Sequence, residues 1–219
     1  MSKQPKAVLF DLDGTLLDTA GDLVAALNHV LRAHGEPEQP FDVVRNYVSR
    51  GAVALLSKGF GIESSDQRIK PLWDEMLAFY AENLCHHTDY FDGMQKLLAS
   101  IEDSGKPWGI VTNKPGFLTD PLLQQMNILP RIGCAVSGDT LPTRKPDPAP
   151  LIYAAEQMGV PANECIYIGD DLRDIEAGNG ASMKTIAAAY GYIIPGDDPR
   201  SWGAHGIVHS PSEIHDWIS

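Results

Sequence analysis

The sequence predicts an α/β fold in which a doubly wound, mostly parallel sheet carries an inserted unit of α-helices. Over about half of the 219-residue chain, short apolar runs alternate with helical patterns, which is typical of βαβ crossovers in a sheet with helices on both faces. Between residues 19 and 90 the alternation stops, and three helical patterns follow one another without a convincing strand. One sheet with one helical insertion accounts for both observations.

Five candidate strands are short, continuous apolar runs that end in polar turns. The first, Lys6-Ala7-Val8-Leu9-Phe10, stops at Asp11, as expected for a strand that is buried on both faces. The other four cover residues 108–111, 134–136, 165–168 and 184–188. Because consecutive side chains in these runs are apolar, we expect both faces of the sheet to be covered.

Two helices between these strands have clear end signals. The first covers residues 148–158, with Asp147 as its expected N-cap, Pro148 at its first position and Gly159 after its last. The second covers residues 92–103. Its apolar face is formed by Met94, Leu97, Leu98 and Ile101. Both helices are therefore expected to pack one face against the sheet.

The inserted helical unit is expected to span residues 19–90, and the core to consist of residues 1–18 and 91–219. Three groups of apolar residues at helical spacing define the insertion: Leu23, Leu27, Val30 and Leu31; Val43, Val44, Tyr47, Val48 and Leu55; Trp73, Met76, Leu77, Tyr80 and Leu84. The chain enters the insertion near Asp18 and leaves it near Phe91. Because only two crossing points join the units, the insertion is expected to be a hinged cap.

Composition and charge limit the classes of partner. The formal net charge is −12 and the sequence pI is about 4.9, so the basic surface that binds nucleic acid or an anionic membrane is missing. No apolar run approaches the roughly 18 residues of a membrane span, and no signal peptide is visible. The three cysteines form no C-x-x-C pair, which argues against a disulfide framework. We therefore expect a cytoplasmic protein.

The strongest candidate for a functional motif is Asp11-Leu12-Asp13-Gly14-Thr15, directly after the first strand. In doubly wound sheets, ligands bind beyond the carboxyl ends of the strands, where these carboxylates fall. A surface Asp-Gly turn and a calcium loop are the alternatives. An EF-hand loop requires glycine at its sixth position and glutamate at its twelfth, where this sequence has Leu16 and Asp22. The calcium loop therefore fits poorly.

This motif resembles the first motif of phosphatases of the haloacid dehalogenase (HAD) superfamily. The three later motifs of that family have counterparts in the same order: Thr112 after the second candidate strand, Lys145 in Arg144-Lys145-Pro146-Asp147-Pro148, and Gly169-Asp170-Asp171-Leu172-Arg173-Asp174. The helical insertion lies between the first two motifs, as in family members with a C1-type cap. The resemblance covers essentially the whole chain and implies a Rossmann-like core.

The resemblance implies an enzyme that uses Mg²⁺ to hydrolyse a phosphomonoester. Asp11 would attack phosphorus and form an aspartyl-phosphate. Asp13 would bind the metal through its backbone carbonyl and use its side chain as general acid and base. Asp11, Asp13 and Asp170 supply the oxygen ligands that suit Mg²⁺. The cation would offset the repulsion between the carboxylate nucleophile and the phosphate.

The remaining family positions would bind the phosphoryl group. Thr112 would donate a hydrogen bond to it, backbone N–H groups around Asn113 would add to this, and Lys145 would neutralise its charge. Taken alone, Thr112 is better explained as a strand-end capping hydroxyl and Lys145 as a solvated surface lysine, and only the combination of motifs favours the catalytic roles. Asp174 is expected to orient metal-bound waters or Lys145. Asp171 has two interpretations, because an acid at a helix N-terminus is favourable for structural reasons alone.

Within the superfamily, the sequence looks most like bacterial phosphoglycolate phosphatases and a related branch that hydrolyses N-acetylmuramic acid 6-phosphate. Residues 190–193 and 202–204 resemble that branch, whereas Phe91-Asp92-Gly93 departs from the Pro-Gly found in many relatives. The expected partner is a small phosphorylated metabolite, bound by a monomer or homodimer. A phosphosugar mutase of the same fold is a rival. A phosphoacceptor signalling domain is another, although it would have no use for the insertion.

Arg50 is the candidate for substrate specificity. It stands between two predicted helices of the insertion, and the neighbouring Gly51 permits a turn toward the catalytic carboxylates. A solvated surface arginine is the alternative. If Arg50 faces the site, its guanidinium is expected to form a bidentate pair with a carboxylate of the substrate.

Overall fold

A parallel sheet forms the centre of the protein in the computed structural model, which describes residues 4–219. The first three residues of the predicted core segment 1–18 lie outside that range. The described residues form these strands: β1 (Ala7–Phe10), β2 (Leu17–Asp18), β3 (Asp89–Tyr90), β4 (Trp108–Val111), β5 (Cys134–Val136), β6 (Cys165–Gly169), β7 (Lys184–Ala188) and β8 (Gly206–Val208). The helices are α1 (Ala20–Ala33), α2 (Phe41–Val44), α3 (Ala52–Phe60), α4 (Ile69–Glu82), α5 (Met94–Asp103), α6 (Gly116–Gln125), α7 (Ala149–Gln157), α8 (Leu172–Gly180) and α9 (His215–Ile218).

The six-stranded sheet has the order β5-β4-β1-β6-β7-β8, and all of its neighbouring strands run parallel. This order places β1 between β4 and β6. The predicted doubly wound α/β fold is therefore confirmed. Strand β8 has no counterpart among the sequence-based predictions, because its apolar run consists only of Ile207 and Val208, between Gly206 and His209.

The residues of β1 alternate between the two apolar layers that cover the sheet. Val8 and Phe10 belong to one buried cluster, and Ala7 and Leu9 to another on the opposite face. All four side chains are completely buried. Burial on both faces explains why the strand reads as a continuous apolar run.

The segment between β2 and β3 is helical. Its helices α1 to α4 share an apolar cluster that includes Leu27, Leu55 and Met76. The strands β2 and β3 pair antiparallel at the point where the chain enters and leaves this segment. The expectation of no strand between residues 19 and 90 is therefore wrong at Asp89 and Tyr90, because a two-residue strand has too little pattern to be recognised. The division into a core and a cap at residues 19 and 90 stays a prediction.

The second helical pattern of this segment is broken into several pieces. Helix α2 is followed by a 3₁₀ turn at Arg45–Arg50, and α3 begins after Gly51. Gly51 has a φ of 83°, a conformation that glycine adopts without strain. The break leaves Ser49 and Arg50 on a turn rather than inside a helix.

Helix α7 is slightly shorter than the predicted segment 148–158. Pro148 precedes the helix rather than belonging to it, and Met158 follows it. The Asp147 side chain nevertheless accepts a hydrogen bond from the backbone N–H of Ala149 at 2.8 Å. The predicted capping interaction therefore exists one residue earlier than the N-cap position. Within residues 4–219, no helix has the length and apolar character needed to cross a membrane.

Candidate active site

Three polar side chains follow the ends of three adjacent strands of the sheet. Asp11 follows β1, Thr112 follows β4 and Asp170 follows β6. Because β1 lies between β4 and β6, these residues come together at the carboxyl edge of the sheet, where doubly wound folds bind ligands. All three are buried. The sheet order therefore produces the cluster that the sequence motifs suggested.

The carboxylates of Asp11, Asp170 and Asp174 form an acidic cluster. One oxygen atom from each lies within 4.8 Å of the others, and all three residues are buried. The backbones of Gly14 and Gly191 come so close to Asp170 that a Cβ atom at either position would collide with its carboxylate. The cluster thus combines hard oxygen donors with a backbone that leaves them room, which fits a small divalent cation such as Mg²⁺.

Burial in the acidic cluster disfavours the ionised forms of Asp11 and Asp170. Burial raises the pKa of Asp11 to about 7, with a further rise from Asp174, although Lys145 opposes the shift. Burial and the charges of Asp11 and Asp174 likewise raise the pKa of Asp170 well above its usual value. A bound cation would stabilise the ionised forms of both groups.

Lys145 bridges two carboxylates of the acidic cluster. Its Nζ atom is 2.8 Å from Asp11 Oδ1 and 2.7 Å from Asp174 Oδ1. It also donates to the Val111 carbonyl oxygen and to the Tyr167 hydroxyl. Burial alone would lower the pKa of Lys145, but the two carboxylates outweigh it and raise the pKa. A charged ammonium is therefore fixed beside Asp11, and the interpretation as a solvated surface lysine is wrong.

Asp171 and Asp174 form the N-terminus of α8. The Asp171 side chain accepts from the backbone N–H of Arg173, and the Asp174 side chain accepts from the backbone N–H of Asp171. Burial would raise the pKa of Asp171, but hydrogen bonds and charge from Arg173 lower it. Asp171 thus has a structural role as an N-cap. Asp174 contacts Lys145 directly, in line with its expected supporting role.

The loop after β4 is held in place by its own side chains. The Asn113 side chain donates to the Lys145 carbonyl oxygen at 2.9 Å and accepts from the Lys145 backbone N–H at 3.0 Å. Thr112 Oγ1 accepts from the backbone N–H of Lys114 at 3.1 Å. The Asn113 side chain thus ties the Thr112 and Lys145 segments together. The Thr112 hydroxyl has the capping contact expected from the alternative interpretation, while its own proton remains available for a ligand.

Asp13 contacts two residues that the sequence interpretation missed. Its Oδ1 atom accepts from Thr19 Oγ1 at 2.6 Å and from Lys114 Nζ at 3.0 Å. Lys114 also donates to the Tyr80 hydroxyl at 2.9 Å. The only sequence signal for Lys114 is its position two residues after Thr112. Nothing in the sequence pairs it with Asp13 or Tyr80.

Arg50 lies at the rim of the site and is already paired. Its guanidinium is 2.9 Å from Asp171 Oδ2 and 2.8 Å from Asp197 Oδ2, and its side chain is 37% exposed. The preceding residue, Ser49, donates to Asp170 Oδ2 at 2.5 Å, and its carbonyl accepts from Arg173. Ser49 and Arg173 were not identified as site residues, although both adjoin residues that were.

A cavity of about 350 Å³ opens between the sheet edge and the helical segment. Asp11, Asp13, Thr112, Lys114 and Lys145 line its polar side. Several apolar side chains also line the cavity: Leu23, Val48, Val53, Trp73, Leu77 and Leu118. The cavity can therefore hold an anionic group at the sheet edge and an apolar group beneath the helices.

We expect the Asp170→Asn variant to be more stable than the metal-free wild type, and increasingly so as the pH rises. Because the folded-state pKa of Asp170 is raised, its contribution to stability is lost as the pH rises above the unfolded-state value of about 4. The asparagine carbonyl can still accept from Ser49 and from the Tyr192 backbone N–H.

The measurement is thermal unfolding of both proteins in EDTA at pH 5 and pH 8. The difference in Tm, variant minus wild type, should be larger at pH 8 than at pH 5 by at least about 3 °C. An excess that stays constant, or that shrinks, would contradict the buried-charge argument. Added Mg²⁺ should raise the Tm of the wild type and leave that of the variant nearly unchanged.

The family model and two curated relatives match nearly the whole chain in sequence. The family model described as haloacid dehalogenase-like hydrolase matches residues 8–188. The N-acetylmuramic acid 6-phosphate phosphatase of Pseudomonas aeruginosa is 44% identical over 211 residues, which cover 96% of this chain and 93% of that protein. The phosphoglycolate phosphatase of Xanthomonas campestris pv. campestris is 42% identical over 210 residues, which cover 96% of this chain and 95% of that protein.

Solved structures show the same similarity at the level of the fold. A crystal structure from Haemophilus somnus, named as a predicted phosphoglycolate phosphatase, aligns over 100% of both chains with a TM-score of 0.86 and 25% sequence identity. The alignment leaves no part of either chain uncovered. The likeness is therefore to whole proteins and not to an isolated motif.

Proposed function

The chain belongs to the haloacid dehalogenase-like hydrolase family and is a phosphatase, and on that premise we propose that it hydrolyses a small phosphomonoester in two steps through Asp11. The observation that carries this proposal is the geometry around Asp11. This carboxylate lies 2.8 Å from the Lys145 ammonium and at the same sheet edge as Thr112 and Asp170. A nucleophile, a cation and a hydroxyl donor are thus placed around one point.

Mg²⁺ is the metal that the proposal requires. The carboxylates of Asp11 and Asp170 and, by family resemblance, the backbone carbonyl of Asp13 would hold it. When bound, it supplies positive charge that allows an anionic carboxylate to approach an anionic phosphate. Asp174 is engaged with Lys145, which supports a role in orienting the lysine.

In the first proposed step, a carboxylate oxygen of Asp11 forms a bond to phosphorus while the bond from phosphorus to the leaving oxygen breaks. The Asp13 carboxyl gives its proton to that oxygen, and the alcohol departs. In the second step, Asp13 takes a proton from water, and the water oxygen bonds to phosphorus as the Asp11 oxygen leaves. Inorganic phosphate is released, and both side chains return to their starting states.

The other residues of the sheet edge would stabilise the transferring group. Lys145 carries its positive charge within 2.8 Å of Asp11, so it would stay close to the phosphoryl oxygens throughout both steps. Thr112 would donate its hydroxyl proton to one of these oxygens. Asn113 holds the Lys145 backbone and would contribute its own backbone N–H to the phosphoryl site.

Phosphoglycolate is the first candidate substrate, because the closely similar Xanthomonas relative bears the name of that activity. N-acetylmuramic acid 6-phosphate is the second. A specific feature favours the second, since the cavity of about 350 Å³ has an apolar side that glycolate alone would leave unfilled. Both esters carry a carboxylate. A monomer or homodimer working in the cytoplasm stays our prediction.

The proposed function is tested by release of inorganic phosphate from both esters and from p-nitrophenyl phosphate, with Mg²⁺ and with EDTA. We expect release only with Mg²⁺, and a kcat/KM for one carboxylate ester at least about 100-fold above that for p-nitrophenyl phosphate. Absence of metal-dependent release from every ester would overturn the proposal. Return of the phosphoryl group to a sugar without free phosphate would favour the mutase alternative.

For Arg50 we expect a defect confined to carboxylate substrates. The substrate carboxylate would replace Asp197, which pairs with Arg50 at a partly exposed position, where such pairs are weak. Arg50→Ala should therefore raise KM for the preferred carboxylate ester by about tenfold or more and leave p-nitrophenyl phosphate hydrolysis nearly unchanged.

Arg32→Ala is the matched control, because Arg32 forms an exposed ion pair with Glu38 on the helical segment. It should change neither reaction. If Arg50→Ala lowers kcat/KM equally for both esters, Arg50 either stabilises the helical segment or binds the phosphate group. If the kinetics of both esters are unchanged, Arg50 does not bind the substrate.

A further inference from the structure

The Lys114 ammonium joins three separate segments of the chain. It is 3.0 Å from Asp13 Oδ1, in the loop after β1, and 2.9 Å from the Tyr80 hydroxyl on α4. It also lies 4.5 Å from the centre of the Tyr80 ring. The backbone N–H of Lys114 donates to Thr112 Oγ1. One buried cation thus links the phosphoryl-binding loop, the general acid and base, and the helical segment.

These contacts lie in a buried environment, where an unpaired charge is costly. The side chain of Lys114 is 5% exposed and that of Asp13 is 17% exposed, and Tyr80 is completely buried. Burial alone would lower the pKa of Lys114, but Asp13 and Tyr80 outweigh it and raise the pKa. Burial raises the pKa of Tyr80 to about 12, so its hydroxyl remains a neutral hydrogen-bond partner.

The position of the ammonium is fixed by groups outside the reaction. The Lys114 carbonyl oxygen accepts from Thr119 Oγ1, which anchors the loop to α6. The Tyr80 ring is held by the apolar cluster of the helical segment. Asp13, in contrast, receives hydrogen bonds only from side chains among the described residues, Thr19 and Lys114. The orientation of its carboxylate therefore depends on where these two donors stand.

We propose that Lys114 and Tyr80 are positioning residues for Asp13. Tyr80 fixes the ammonium of Lys114, and the ammonium holds the Asp13 carboxylate in the orientation in which it exchanges protons with the leaving oxygen and with water. This inference rests on the proposed function, because it takes Asp13 as the general acid and base. It assigns to α4 a contribution to the chemical step that acts through Lys114 and Asp13, besides covering the cavity.

A positioning role predicts a loss in kcat with little change in KM. Tyr80→Phe removes only the hydroxyl and keeps the ring in its apolar cluster, so the fold should persist. We expect its kcat to fall about tenfold, the size that loss of one hydrogen bond to a charged group produces, with KM within about twofold. Tyr153→Phe, on α7 and away from the site, is the matched control and should be unchanged.

The order of action is tested by a double-mutant cycle. Lys114→Met should lower kcat more than Tyr80→Phe, and adding Tyr80→Phe to Lys114→Met should cause little further loss, because Tyr80 acts through Lys114. Losses that multiply in the double variant would overturn the proposal. A rise in KM with unchanged kcat would overturn it too, since Lys114 would then be a substrate ligand.

A readout without catalysis separates this inference from the proposed function. In the metal-free protein, a proton–nitrogen NMR spectrum of lysine side chains should contain a solvent-protected ammonium signal that disappears in Lys114→Met and shifts in Tyr80→Phe. Absence of that signal in the wild type would overturn the inference even if the enzyme is active. If the wild type shows the signal and its shift but releases no phosphate from any ester, the proposed function is overturned. The contact between Lys114 and Tyr80 would then still be established.

Discussion

The Asp11→Asn variant is expected to release no measurable phosphate from any ester, with a loss in kcat of at least about 10⁴-fold. The amide has nearly the same shape as the carboxylate, but it cannot form the bond to phosphorus that the first step requires. The measurement is release of inorganic phosphate in Mg²⁺ under substrate saturation, compared with the wild type in the same buffer.

Loss of activity through unfolding is distinguished by thermal unfolding. Because burial raises the pKa of Asp11 to about 7, the ionised carboxylate is unfavourable in the metal-free protein, and its replacement should leave Tm unchanged or raise it. Asp103→Asn, at the exposed end of α5, makes the same chemical change elsewhere and should retain full activity. A folded Asp11→Asn variant with substantial phosphatase activity would remove Asp11 from the role of nucleophile.

The sheet and the motif loops could be predicted from the sequence because both rest on local signals. The continuous apolar run of β1 requires burial on both faces, and it ends at Asp11. Residues 108–111 coincide with β4, which is buried throughout in the same way. Residues 134–136 coincide with the edge strand β5, whose apolar run was recognised although the strand is only partly buried. Once the strands are parallel, their carboxyl ends share one edge, so side chains distant in sequence, such as Asp11 and Asp170, meet without any signal that pairs them.

The contacts around Asp13 and Arg50 could not be predicted because they depend on how the helical segment lies against the sheet. Lys114 and Tyr80 are 34 residues apart, and neither carries a motif. The sequence predicts that the Arg50 guanidinium pairs with a substrate carboxylate. In the structure, Asp171 and Asp197 already pair with it. Asp197 follows β7 in a loop, and only the folded chain brings it to the turn after α2.

Asp13→Asn is expected to separate the two chemical steps. The variant keeps a carbonyl oxygen that can accept from Thr19 and Lys114, so the fold should persist. It loses the proton that an alcohol leaving group requires, and alkyl phosphates should be hydrolysed at least about 10³-fold more slowly. Since the proposed metal ligand at this position is the backbone carbonyl, calorimetric titration should find Mg²⁺ affinity little changed.

With p-nitrophenyl phosphate the same variant should behave differently. The p-nitrophenolate ion leaves without protonation, so Asp11 can still be phosphorylated, but the base that activates water is missing from the second step. We expect a burst of p-nitrophenol close to one equivalent of enzyme, followed by slow turnover, and a phosphoprotein that survives rapid acid quenching. Steady turnover at the wild-type rate without a burst would exclude Asp13 as the base. Loss of Mg²⁺ binding would instead identify its side chain as a metal ligand.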